Sequence, residues 1–117
     1  MPSARETPVL FIIRYMTAIA SIDVGSNTFR LLIGAVEDGK ITDIHTSRRI
    51  TRLGNSVNQT GRLQEENMEN SLAVLKEFSS ALVHYRALCS KAVGTSALRE
   101  ATNADIFIKK AFGETGI

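Results

Sequence analysis

The sequence predicts an α/β domain whose elements follow the order β-β-β-α-β-α. Short apolar runs rich in β-branched residues mark the strands, as in Ala18–Val24. Asp38 and Gly39 lie between two such runs, and an Asp-Gly pair in that position is a strong hairpin signal. Farther on, apolar residues recur at spacings of three and four, which predicts one long amphipathic helix.

Three strands are expected to open the domain. The first is Ala18–Val24, which ends at Gly25, and the second is Phe29–Val36. The third, Ile41–Arg52, mixes apolar and polar residues, as an exposed or edge strand does. Because tight turns separate these runs, antiparallel pairing is predicted.

The middle of the sequence predicts a turn-rich segment over 53–61, a helix over 64–86 and a fourth strand. Glutamates in the first turns of this helix and Arg86 near its end match the sign of the helix dipole. Leu88–Val93 is the fourth strand, and the helix before it implies a parallel crossover connection. The apolar face of the helix is expected to comprise Met68, Leu72, Leu75, Phe78, Leu82 and Tyr85.

After the fourth strand the sequence predicts two shorter helices. Thr95 and Ser96 are candidates to cap the first, which would extend through Ala101. Asn103 is the candidate cap of the second, with Gly113 just past its end. The residues after Gly113 look like the start of another strand, so the domain is expected to be truncated before its fifth strand.

Composition and charge place the chain among ordinary globular proteins. It has 117 residues, of which 44% are hydrophobic and 22% charged, and this length suits one small domain. The net charge of +2 is too weak to indicate nucleic-acid or membrane binding, yet it leaves room for a small anionic substrate. Cys89 is the lone cysteine and is expected to be a buried structural thiol. One cysteine gives no sign of an oxidising compartment, which fits a cytoplasmic protein.

Residues 1–16 are predicted to be an N-terminal extension outside the fold, and residues 17–117 to form a partial N-terminal domain. Two interpretations of the extension compete: a genuine N-terminal arm, or a natural start at Met16, which we favour. The apolar run Val9–Ile13 in this extension is too short to span a bilayer or to form the core of a signal peptide.

The first candidate site is the segment from Asp23 to Thr28, which follows the first strand. Its glycine allows a ligand to approach the backbone, and its small polar residues can direct N–H groups and hydroxyls toward an anion. Asp23 is a candidate for holding a hydrated cation. An ordinary hairpin turn uses the same residue types and explains the composition equally well. The candidate phosphate-binding residues of this segment are Gly25, Ser26, Asn27 and Thr28.

The second candidate site is Gly94–Glu100, where a strand end meets a helix start. Amide groups are free at a helix start, and the forked guanidinium of Arg99 matches the geometry of phosphate. For this segment alone a plain capped helix, with Arg99 paired to a carboxylate, is the favoured alternative. If the first and fourth strands are neighbours, both candidate sites lie at the same edge of the sheet, where α/β proteins bind ligands. A solvated strand edge is a better interpretation than an anion-steering cluster for Arg48, Arg49 and Arg52.

The segments Ile22–Leu31, Thr60–Leu63 and Gly94–Asn103 resemble the exopolyphosphatase/guanosine pentaphosphate phosphatase family, Ppx/GppA, and the likeness runs from about Ala18 to Ile117. The resemblance implies a ribonuclease-H-like domain of the actin/Hsp70/sugar-kinase superfold, with the active site in the cleft between two such domains. It implies hydrolysis of the terminal phosphoanhydrides of inorganic polyphosphate or pppGpp with Mg²⁺ as cofactor. The parent protein is expected to be a homodimer. From the weak net charge and the lone cysteine, we expect a cytoplasmic protein without nucleic-acid or membrane partners.

The resemblance also implies roles for individual residues. Gly25–Thr28 corresponds to the first phosphate loop, Asp23 to a residue near the metal and the phosphate, and Arg99 to an arginine of the polyphosphate-binding cleft. The catalytic glutamate of the family follows a Thr-Gly-Ile segment that matches Thr115–Ile117, where this sequence stops. We therefore expect a fragment that carries part of the substrate cradle, lacks the general base and has no phosphatase activity alone.

Two other hypotheses stay open on the sequence. One is a fragment of another actin/Hsp70/sugar-kinase-type ATPase that shares the first phosphate loop. Thr95–Arg99 argues against it, because that segment is not a general feature of the superfold. The other is a non-catalytic module that binds anions.

Overall fold

The computed structural model describes residues 17–117, so the predicted extension 1–16 lies outside the described residues. The strands and helices follow the predicted order, with a single helical turn added in the segment expected to consist of turns. The strands are β1 (Thr17–Val24), β2 (Thr28–Glu37), β3 (Lys40–Ile50) and β4 (Cys89–Gly94). The helices are α1 (Val57–Thr60), α2 (Glu65–His84), α3 (Ser96–Glu100) and α4 (Ala104–Thr115).

The strands form one mixed sheet in the order β3-β2-β1-β4. β1 is antiparallel to β2 and parallel to β4, as a helical crossover between them requires. In the β1–β4 register Val24 lies opposite Gly94, so the carboxyl ends of the two strands are side by side. The prediction that the two candidate sites lie at one sheet edge depended on this neighbour relation, which is confirmed.

The hairpin between β2 and β3 turns at the predicted pair. Asp38 has φ 49° and Gly39 has φ 75°, the two left-handed conformations that a type I′ turn requires. β3 ends at Ile50, two residues before the predicted end at Arg52. The reason is local: Arg52 has φ 53°, a left-handed conformation that no strand continues through.

One face of the sheet forms the core against α2 and α4. Alternate residues of β1 and β2 are buried on this face, and the apolar face of α2 packs on them as its periodicity predicted. The opposite face of the sheet is polar and exposed near the carboxyl end of β1. The buried set includes Ala18, Ala20, Ile22, Val24, Phe29, Leu31, Ile33, Leu72, Leu75, Phe78, Phe107 and Ala111.

Two residues predicted to cap helices use their side chains elsewhere. Thr95 precedes α3, but its hydroxyl donates to the carbonyl oxygen of Val24 at 3.3 Å. Asn103 precedes α4, but its amide is buried against Leu63: Oδ1 accepts from the Leu63 N–H at 2.7 Å, and Nδ2 donates to the Leu63 carbonyl at 3.0 Å. The predicted side-chain caps were therefore wrong, because tertiary acceptors and donors compete for the same short polar side chains.

Two other expectations were also wrong. α4 continues through Gly113 to Thr115 and ends at Gly116, which has φ 76°, so residues 113–117 do not begin a strand. Cys89 is exposed rather than buried, because β4 lies at an edge of the sheet within residues 17–117. None of the helices in this range is long and apolar enough to cross a membrane.

Candidate functional site

The segment Gly25–Asn27 forms a tight turn from β1 into β2. The Gly25 N–H donates to the carbonyl oxygen of Thr28 at 3.1 Å. A Cβ at Gly25 would lie 2.6 Å from that same oxygen, which leaves no room for a side chain. The glycine is thus required by the close approach of two backbone segments.

The carbonyl groups of this turn are occupied by the segment that follows β3. Asn27 O accepts from the N–H groups of Thr51 at 2.9 Å and Arg52 at 3.1 Å, and Ser26 O accepts from Gly54 N–H at 2.7 Å. The N–H groups of Ser26 and Asn27 donate to no acceptor within residues 17–117. The N–H groups of Ser26 and Asn27 are therefore free while the carbonyl groups of the same two residues are occupied, which is the polarity an anion-binding loop needs.

The start of α3 contacts the other side of the turn. Thr95 N–H donates to Val24 O at 3.2 Å, and the hydroxyls of Ser26 and Ser96 lie 3.2 Å apart. Gly54 completes the contact: a Cβ there would lie 2.8 Å from Ser26 Cβ and 3.0 Å from Ala97 Cβ. Two segments that are far from the turn and from each other in sequence thus hold it in place.

A small polar cavity opens beside the turn. Its volume is ≈ 280 Å³, and Arg52 contributes the one positive charge among its lining residues within 17–117. No carboxylate lines it, so nothing in the lining repels an anion. The cavity is lined by Ser26, Asn27, Arg52, Gly54 and Asn55.

The structure places Arg99 apart from this cavity. Its side chain is exposed and lines a different, largely apolar cavity of ≈ 410 Å³, together with Leu98, Phe107 and Ile117. Its helix α3 contacts the turn through Ser96, but Arg99 itself is not among the residues that line the cavity beside the turn. The two candidate sites are therefore in contact through a backbone hydrogen bond from Thr95 to Val24, but Arg99 and the turn residues line different cavities.

Asp23 points to the open face of the sheet. It lines a third cavity of ≈ 400 Å³ that also contains Arg30 and Arg48. In the strand register Arg30 is the direct neighbour of Asp23, and Arg48 is the direct neighbour of Arg30. Within residues 17–117 no group of three His, Cys, Asp or Glu residues could hold a metal ion. One carboxylate beside a guanidinium group does not fit Mg²⁺ by itself, since that ion takes six oxygen ligands.

Sequence reasoning missed the segment Thr51–Gly54 as a partner of the turn. Gly54 carried only the signal of a turn glycine, and Arg52 was grouped with its neighbours as a solvated strand edge. For Arg49 that interpretation agrees with the structure, because its guanidinium pairs with Glu77 of α2 at the surface, with an Nε–Oε2 distance of 3.3 Å. Nothing in the sequence separates Arg52 from Arg48 and Arg49, because the distinction arises from the backbone conformation.

The sheet order, the parallel β1–β4 pair and the polar turn after β1 define a domain of the actin-like, ribonuclease-H-like class. A model of the Ppx/GppA phosphatase family matches residues 32–117. The chain belongs to the Ppx/GppA phosphatase family.

Solved structures agree with this assignment. A Ppx/GppA family member from Aquifex aeolicus is 41% identical with a TM-score of 0.85, over 87% of this chain and 33% of that one. An exopolyphosphatase from Cytophaga hutchinsonii is 30% identical with a TM-score of 0.83, over 86% of this chain and 32% of that one. The resemblance inferred from the sequence motifs is confirmed.

Curated relatives carry two different activities in their names. Exopolyphosphatase 2 of Mycobacterium tuberculosis is 36% identical over 96 residues, which cover 79% of this chain and 30% of that protein. A guanosine-5'-triphosphate,3'-diphosphate pyrophosphatase of Photobacterium profundum is 37% identical over 92 residues, which cover 79% of this chain and 18% of that protein. The chain thus spans less than a third of the length of these relatives.

Proposed function

We propose that this chain supplies the first phosphate-binding loop of a phosphatase acting on terminal phosphoanhydrides of inorganic polyphosphate or guanosine pentaphosphate. The observation that carries the proposal is the polarity of the turn: the Ser26 and Asn27 carbonyls are occupied, while both N–H groups have no acceptor within residues 17–117. Membership of the phosphatase family and the names of the two kinds of relatives support the choice of substrates.

In this proposal the loop binds the non-bridging oxygens of one phosphate. The N–H groups of Ser26 and Asn27 and the hydroxyls of Ser26 and Thr28 are the donors, and the narrow turn at Gly25 lets phosphate approach the backbone. Arg99 binds a different phosphate of the same polyphosphate molecule, because it lines a cavity separate from the one at the loop. A linear polyphosphate has phosphates at both positions.

Activation of the attacking water belongs to other residues. The cavity at the loop contains no carboxylate, so its lining supplies no general base. We propose that the base is a glutamate of the whole protein. Mg²⁺, with Asp23 as a ligand through water, is the metal we propose for the whole protein, where it would share the charge of the phosphates. The described residues do not form that metal site, and phosphate binding by the loop does not depend on it.

The test is a titration of the 117-residue chain with inorganic tripolyphosphate, in which binding is measured by calorimetry and by the shifts of the amide NMR signals. The largest amide shifts are expected at Ser26 and Asn27. Gly25→Ala should weaken binding at least about ten-fold, since its Cβ would displace the Thr28 carbonyl that closes the turn. Gly113→Ala is the matched control, because a Cβ there meets no atom within 4 Å.

Two results would contradict the proposal. One is a chain that does not bind tripolyphosphate, and the other is binding whose amide shifts lie away from the loop. Release of phosphate by the isolated chain would contradict the assignment of the general base to other residues. Competition between polyphosphate and pppGpp for the whole protein then chooses between the two substrates. We also propose a cytoplasmic, homodimeric whole protein, which sedimentation and cell fractionation test directly.

A further inference from the structure

Arg52 has a backbone conformation that its residue type does not favour. Its φ is 53°, in the left-handed region where glycine and asparagine are the preferred residues. The conformation is imposed from outside: the N–H groups of Thr51 and Arg52 both donate to Asn27 O, and Asn55 N–H donates to Arg52 O at 2.9 Å. The chain thus turns from β3 onto the loop at Arg52, and a glycine would make this turn with less strain.

Two of the other left-handed residues that are not glycine have local explanations, whereas Ser56, with φ 68° before α1, does not, since a residue at that position is normally extended. Asp38 lies in the type I′ turn. Arg86 follows the last residues of α2, where Ala87 N–H donates to Leu82 O in the pattern of a Schellman motif. A cation there is favoured by the carboxyl end of the helix dipole. No comparable local explanation accounts for an arginine at position 52.

Arg52 lines the cavity that a phosphate bound at the loop would occupy. It is exposed, it lines the ≈ 280 Å³ cavity with Ser26 and Asn27, and it forms no salt bridge with another residue of the range 17–117. A guanidinium that has no salt bridge within residues 17–117, on a residue that lines the same cavity as Ser26 and Asn27, is suited to the oxygens of a phosphate.

We infer that Arg52 is a further phosphate-binding residue, which completes the first loop from the segment that follows β3. This inference rests on the proposed function and extends it to a residue outside the Gly25–Thr28 turn. The class of ligand is a phosphoryl group of a polyphosphate chain, held by the loop N–H groups on one side and by the guanidinium on the other. The strained backbone is retained because it directs this side chain to the cavity.

The experiment compares tripolyphosphate binding and thermal unfolding of three variants of the 117-residue chain. Arg52→Gly removes the guanidinium and relieves the backbone strain, so its melting temperature should be equal or higher while its affinity falls about five- to ten-fold. Arg52→Lys keeps the charge and loses the fork, so its affinity should be intermediate. The opposite direction of the two effects in Arg52→Gly is a result that a purely structural role does not produce.

Arg86→Gly is the matched control. Arg86 is also an arginine with a left-handed backbone, φ 55°, but it lies near the amino ends of β1 and β4, where Leu88 N–H donates to Ala18 O. The substitution removes the same charge and relieves the same strain, so the melting temperature should rise while the affinity stays within about two-fold of wild type. An equal loss of affinity in both glycine variants would show that net charge alone is responsible and would overturn the inference.

The remaining outcomes separate the inference from the proposed function. If wild type binds with shifts at Ser26 and Asn27 and Arg52→Gly binds equally well, the inference alone is wrong. If wild type does not bind tripolyphosphate, the proposed function is wrong and the inference is overturned with it.

Discussion

At the scale of single residues, the side-chain amide of Asn103 joins two segments that are far apart in sequence, Thr60–Leu63 and Gly94–Asn103. Its side chain makes both hydrogen bonds that a neighbouring strand would make with Leu63, and it is 4% exposed. Beside it, the Thr102 N–H and hydroxyl both donate to Gly61 O, at 2.8 and 3.2 Å. The Thr60–Leu63 and Gly94–Asn103 segments are therefore joined by a structural contact.

Asn103→Ala is expected to destabilise the chain by about 2–4 kcal/mol, because the Leu63 N–H and carbonyl would stay buried without partners. Urea denaturation followed by circular dichroism measures the change. Asn58→Ala serves as the control, since Asn58 is exposed on α1 and its substitution should cost no more than about 0.5 kcal/mol. Similar losses in the two variants would show that the Asn103 amide is not a structural link.

Ser71 is a residue whose replacement is expected to stabilise the protein. It is 0% exposed on α2, and its hydroxyl has no partner within residues 17–117. Ser71→Ala should raise the free energy of unfolding by about 0.5–1.5 kcal/mol, from better helix propensity and loss of an unpaired buried hydroxyl. Ser80→Ala is the comparison for helix propensity without burial: Ser80 is exposed, and the substitution removes only a surface hydrogen bond from its hydroxyl to Lys76 O at 3.2 Å. A Ser71 variant no more stable than the Ser80 variant would show that the buried hydroxyl carries no cost.

At the scale of elements, the carboxyl end of α2 provides a separate stability test. Tyr85 is the C-cap residue of α2, and Arg86 follows it in the left-handed conformation that glycine favours. Arg86→Gly should stabilise the chain by about 0.5–1 kcal/mol through the relief of this strain, less the small loss of charge at the helix end. Chemical denaturation of the variant measures it, and a net destabilisation would show that the charge at the helix end outweighs the strain.

The elements themselves were largely predictable from the sequence, whereas their ends were not. Periodicity gave the strands and α2, and the Asp38-Gly39 pair gave the type I′ hairpin, because these signals depend on neighbouring residues. The end of α4 was misplaced at Gly113, since a glycine inside a helix and one at its end look alike in sequence. Asn103 was wrongly assigned as a helix cap for a related reason: a short polar side chain can hydrogen-bond at a helix start or to a distant backbone segment equally well.

The candidate site was predictable in part. The polar turn was recognised from its residue types, and the helix between β3 and β4 predicted a parallel crossover, whereas the pairing of β4 with β1 was posed only as a condition and is supplied by the structure. The contribution of Thr51–Gly54 was not predictable, because it consists of backbone hydrogen bonds to Ser26 and Asn27, which leave no pattern in the side chains. The position of Arg99 depends on which face of a five-residue helix meets the turn, and so short a segment carries no periodicity.

At the scale of the whole molecule, one end of the sheet and one face of α4 are apolar and exposed. Val93 on β4 is 53% exposed, and Phe112 on α4 is 69% exposed. β4 is also an edge of the sheet within residues 17–117, with unpaired backbone groups along its outer side. β3, the other edge strand, carries Arg48 and Arg49 and is better protected by charge.

We expect the 117-residue chain to self-associate through β4, and Val93→Lys to reduce this association, because a lysine on an edge strand opposes pairing. Sedimentation velocity over a range of concentrations measures the effect. Ile41→Lys, at a residue 62% exposed on β3, is the control and should leave association unchanged. A wild-type chain that stays monomeric at all concentrations would refute the prediction.

The meeting of Ser26, Gly54 and Ala97 has a thermodynamic consequence for the chain. These residues come together only when β1, the segment after β3 and α3 have all assembled, so the unfolded chain has no equivalent anion site. Any phosphate ligand of the loop therefore binds the native state selectively and shifts the folding equilibrium by mass action, by about 2.7 kcal/mol at one hundred times its Kd. If the loop binds phosphate as proposed, the melting temperature of the chain rises with phosphate concentration and reports how much of the loop is occupied.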